Sequence, residues 1–130
     1  MIIGAKTERK NKIDRQFPGR AVVVIYSVCH YNNRVQQGRL SVRAMEFLHL
    51  QQKFAEIIFS IQYDQHKNPR LMIAEVTDHE IKGTAVSQGR TFKLALNILM
   101  KGIKEGAYLI GQEHYDPVQN LSWYELNPIE

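Results

Sequence analysis

Two stretches decide the fold: Ile57-Ile58-Phe59-Ser60-Ile61-Gln62-Tyr63 and, after a polar loop, Arg70-Leu71-Met72-Ile73-Ala74-Glu75-Val76-Thr77. In the first, Ile57, Phe59, Ile61 and Tyr63 alternate with Ile58, Ser60 and Gln62, the period of two that marks a strand. In the second, Leu71 and Ile73 take one face, and Met72, Ala74 and Val76 take the other. Asp64-Gln65-His66-Lys67-Asn68-Pro69 joins them as a turn-forming linker. Asp78-His79 turns again into a third strand over 80–87, which completes a predicted antiparallel meander.

Working outward, Ser41 is placed to cap a helix whose apolar face carries Val42, Met45 and Leu48. On the other side, Gln88-Gly89-Arg90-Thr91 opens a second predicted helix, running to about Glu105. Thr91 is its cap, Lys101 and Lys104 lie near its negative end, and Gly106 is its terminator. The apolar residues of that helix, Phe92, Leu94, Ala95, Leu96, Ile98, Leu99, Met100 and Ile103, cover more than one face, so a neighbouring segment or a second chain must cover the surplus. The predicted class is α+β: a three-stranded antiparallel sheet with helices on one face, in the order α-β-β-β-α. A strand over 21–29 precedes it, returning through an Asn32-Asn33 turn into a weaker strand over 34–40.

The 130 residues suffice for one core. The division is a basic arm over 1–20, a domain over 21–114 with its central unit at 41–105, and an acidic tail over 115–130 that holds Trp123 and Tyr124 without a helical period. No apolar run reaches the roughly 18–20 residues of a membrane span, no secretory signal opens the chain, and the single Cys29 excludes an internal disulfide framework. An intracellular location is expected. The formal charge of +4 is a cancellation: +4 over 1–20, +5 over 21–104 and −5 over 105–130. A basic body favours a polyanionic partner.

Within 41–105, Pro69, Leu71, Gly89, Thr91, Lys93 and Ala95 resemble the motif positions of the double-stranded RNA-binding domain family, which also runs helix, meander, helix. The chain departs from the family in carrying Phe92 and Leu96 where basic residues are usual, and His49 where a glutamine is common. His66 also sits one position further from Leu71 than the family's loop histidine. The resemblance implies duplex RNA read by shape through three patches: Glu46, His49 and Lys53 on the first helix, His66 and Lys67 in the loop, and Arg90, Thr91 and Lys93 at the start of the last helix. Simple physics gives the last patch the same role, because a helix N-terminus presents free N–H groups to phosphate.

Three functions follow in order. The first is a non-enzymatic nucleic-acid-binding protein with double-stranded or structured RNA as partner. The second is a protein-interaction module, dimeric or bound to another chain through the last helix. The third is a small-ligand binder or enzyme using Arg90 and nearby histidines. No cofactor or metal is expected, since His30, His49, His66, His79 and His114 lack the spacing of a helical ligand pair. Gly83 to Thr91 is not a phosphate-binding P-loop: it has one residue too many between its glycines and Arg in place of Lys. Cys29 reads as a small core residue rather than a nucleophile.

Overall fold

The structure is a computed structural model and describes residues 12–50, 55–76, 83–87, 90–94 and 103–129. Helix α1 spans Lys12–Gln16. Strands β1 (Val22–His30) and β2 (Asn33–Leu40) follow, then helix α2 (Val42–Phe47). Six more strands complete the order: β3 (Glu56–Tyr63), β4 (Pro69–Glu75), β5 (Thr84–Ala85), β6 (Thr91–Lys93), β7 (Gly106–Asp116) and β8 (Leu121–Pro128). They form one antiparallel sheet in the order β5-β3-β4-β8-β7-β1-β2-β6, curled into a nearly closed barrel.

The α+β sandwich of three strands and two covering helices is therefore corrected to a mostly-β barrel, and the double-stranded RNA-binding frame falls with it. Three local reasons account for the difference. First, Thr91-Phe92-Lys93 is a strand paired with Gln37, Gly38 and Arg39. Its period is two: Phe92 and Leu94 are buried and Lys93 is exposed. Arg90 has φ +62 and closes a turn by donating its N–H to Ser87 O, so no helix begins at Thr91. The rest of the predicted helix, 95–102, lies outside the described residues. Second, β5 pairs with β3 instead of β4, so the expected meander does not form, and β8 takes the place beside β4. Third, the acidic tail contains β8, which lies between β4 and β7.

Closure is visible in the interior. Phe59, on the strand next to one edge, and Phe92, on the opposite edge strand, meet with ring centroids 5.4 Å apart. Gly38 makes room for this contact, since a Cβ there would overlap the Phe92 ring. Val23, Ile25, Leu40, Leu48, Ile57, Leu71, Ile73, Tyr108, Ile110 and Leu126 fill the same core. A second cluster, Met72, Ala74, Leu121 and Trp123 with Ile58, is buried on the outer face of β3, β4 and β8. Burial on both faces removes the in–out alternation that would have marked β8 as a strand.

The strands read from 57–63 and 70–77 match β3 and β4, and the β1–β2 hairpin also forms, with Tyr31 and Asn32 at φ 49 and 68 in its turn. The described β1–β7 ladder ends at Ile25, and Ser27 and Gln36 beyond it bond Glu105. Cys29, further out on β1, is exposed, contrary to its reading as a core residue. Ser41 caps α2 as expected. Its buried hydroxyl accepts from Ala44 N and Val22 N and donates to Arg20 O.

Candidate functional site

Antiparallel register sorts the functional side chains to two ends of the barrel. The first end carries α1, α2, the turn between β5 and β6, and the tip of the β7–β8 hairpin. The second carries the β3–β4 loop, roughly 20 Å away by strand length. Glu46, His49, Arg90 and Thr91 lie at the first end. His66 and Lys67 lie at the second, both exposed. Lys93 is exposed on the outside of β6, and Lys53 lies outside the described residues. The first and last patches thus share one end in part, and the loop patch stands apart.

Each has its own surroundings. Glu46 binds Arg43 at 3.1 Å across one helical turn. Thr91 Oγ1 lies 2.7 Å from Ser87 Oγ. The loop of His66 and Lys67 is organised by Asp64, whose carboxylate accepts from Asn68 N and His66 N. The Asn68 contact is the main cause holding the Asp64 carboxyl below its ordinary range.

Arg90, the strongest phosphate candidate in the sequence, is committed to Asp14. The two side chains are 17% and 19% exposed. Asp14 Oδ2 accepts from the Arg90 guanidinium, while Oδ1 accepts from Val42 N at the start of α2, at 2.9 Å. With Ile13 buried beside it, this acid fastens α1 to the barrel. Both oxygens of Asp14 are turned inward, whereas Lys12, Arg15 and Arg20 are exposed and pair with no described carboxylate. Arg20 and Arg43 line the shallow groove between this segment and α2.

A second feature at the first end is a cleft of about 550 Å³ between the end of α2 and the upper ends of β4, β8 and β7. Three adjacent strands lose their inward apolar character at the same level. Leu71 and Ile73 give way to Glu75, and Leu126 to Tyr124 and Ser122. On β7, Tyr108 and Ile110 give way to Glu113 and Tyr115, because a register shift between Ile110 and Glu113 resets the alternation and brings Glu113 opposite Tyr124. Tyr124 packs edge-on against Phe47 with centroids 4.9 Å apart.

His49, at φ 55 just after α2, places Nδ1 3.6 Å from Glu75 Oε2. Burial pushes the Glu75 carboxyl up, and His49 partly offsets this. Burial, then the carboxylates of Glu113 and Glu75, push the Tyr124 hydroxyl up, so both acids bear on one phenol. Ser122 Oγ donates to Glu113 at 2.7 Å, and Tyr115 donates to Asn120 at 2.6 Å.

Glu75 was legible, since strand parity from Leu71 and Ile73 puts it on the inner face. Glu113 was less so: Gly111 is the residue type that marks a bulge inside a strand, but it does not fix how the register shifts. Asp14 gave no signal. Among the described residues, no group of three His, Cys, Asp or Glu is arranged to hold a metal ion, and no helix is long and apolar enough to cross a membrane. No family model, curated protein or solved structure matches the chain.

Proposed function

We propose that the protein binds nucleic acid without catalysing a reaction on it, and that the contact surface is the basic segment over 12–20, not the Arg90–Lys93 strand. One observation carries this reading. The only acid of residues 12–20 is Asp14, and both its oxygens face the barrel, so the outward charge of the segment is wholly positive. The segment continues the basic part of the chain that begins at Lys6, Arg9 and Lys10. Cations without acidic partners are the groups that neutralise phosphates and release counterions. The other described cations without a described acidic partner, such as Lys67 and Lys93, are dispersed over the barrel and offer no continuous track.

The test is a fluorescence titration of a short RNA duplex across a salt series. The wild type should bind at low salt with a clearly negative slope of log affinity against log salt. The triple variant Lys12→Ala, Arg15→Ala, Arg20→Ala should lose about two to three units of that slope, on coefficients taken from DNA and single strands. The pair Lys67→Ala and Lys93→Ala should change it little. Absence of binding at low salt, or a triple variant with the full slope, overturns the reading.

A further inference from the structure

We propose that the cleft between α2 and the ends of β4, β7 and β8 binds a small organic cation: an ammonium group attached to an apolar or aromatic body. The site is separate from the nucleic-acid surface and opposite to it in charge preference.

The first argument is the lining. Glu75 and Glu113 reach the cleft from two strands that flank β8, and no described Lys or Arg lines it. Among the described residues, His49 is the one basic side chain that lines it, and it is weakly held: it is 78% exposed and stands 3.6 Å from Glu75. A ligand ammonium that reaches Glu75 therefore displaces a marginal contact. Glu75 itself is only 26% exposed, so it gains more from a full counter-charge than a surface acid would.

The second argument is the walls. Phe47 and Tyr124 form an edge-to-face pair, and Tyr115 stands nearby on β7. Aromatic faces beside carboxylates suit a cation with an apolar body, because the ring quadrupole attracts the charge and the ring surface covers the body. A volume of about 550 Å³ is in the ordinary range for small-molecule sites.

The third argument is how the cleft is made. Without the bulge after Ile110, alternation would turn Gln112 and His114 inward and leave Glu113 and Tyr115 outside. The irregularity costs ladder pairing in the long hairpin, and its effect is to place one acid and one aromatic ring in this cleft. Ser122 then orients Glu113, and Asn120 orients Tyr115.

The test uses the full chain and two probes of one shape, 2-phenylethylamine and 3-phenylpropionate, followed by backbone amide NMR. The amine should shift residues 47–49, 75 and 113–124, and the carboxylate should leave them in place. The double variant Glu75→Gln, Glu113→Gln should weaken amine binding by about tenfold or more, the scale of a lost charge-assisted hydrogen bond. Glu113→Gln alone alters an exposed side chain and serves as the conservative variant. It should weaken binding in the same direction with the remaining spectrum unchanged. The proposal is overturned if the amine shifts none of these residues at millimolar concentration, if the carboxylate binds equally well, or if the variants bind as the wild type does.

Discussion

A single carboxylate decides what Arg90 does. In the sequence, Arg90 follows a glycine and precedes Thr91 and Lys93, which suits a phosphate site. In the structure its guanidinium faces Asp14, 76 positions earlier in the chain. No local pattern links residues so far apart, so this contact was not legible. Ser41 was legible, because its partner Ala44 N lies only three residues away and capping is a local rule. Asp14→Ala should lower stability by about 2 kcal/mol in denaturant unfolding, since it strands a partly buried guanidinium and removes a bond to the first turn of α2. Arg90→Ala should not add its full cost on top of Asp14→Ala, as a double-mutant cycle would show. Full additivity would mean that the two side chains act independently.

At the scale of elements, local signals decided what was legible, not the number of buried faces: β4 is buried on both faces and was clear, whereas β6 buries one face and was not. β3 announced itself by alternation, and β4 by its apolar run and the loop between them. β6 carries helix signals instead, because Gly89 and Thr91 fit a helix start and the apolar residues after them are dense. Its pairing partner, β2, could not be inferred from that window. β8 shows no strand signal in the sequence, because Leu121, Trp123 and Leu126 are buried on opposite faces and leave no clean period.

The ends of β4, β8 and β7 also set a pH dependence. Folding raises the Glu75 carboxyl above its usual value of 4.5, chiefly through burial, so the folded state holds that proton more tightly than the unfolded chain. The stability contribution should therefore be fully present below 4.5 and be lost as pH rises through the raised value. Glu75→Gln should melt higher than the wild type at neutral pH and lose the advantage in acid. An equal difference at both pH values would show that the substitution acts through packing or through loss of the His49 contact.

For the whole molecule, the net charge of +4 conceals an arrangement that the linear partition only half revealed. The basic arm is not separate from the body over its described part, because Ile13 and Asp14 fix it beside α2. The acidic end is not a peripheral cover. Its Glu125 is buried among Arg70 and His114 on the outer face of the sheet, and β8 joins one half of the barrel to the other. Without β8, the strands β5-β3-β4 and β7-β1-β2-β6 would share no ladder among the described residues.

Composition and length bound only the size of the chain's interior, and the number of strands depended on pairings between distant segments. Native-state hydrogen exchange on the C-terminal strand tests this arrangement most directly. The backbone amides of Tyr124 and Leu126 should exchange as slowly as those of Met72 and Ala74 in β4, near the limit set by global unfolding, while 64–68 and 117–120 exchange quickly. Amides of 121–128 that exchange as fast as those loops would contradict the barrel and return this segment to the status of a tail.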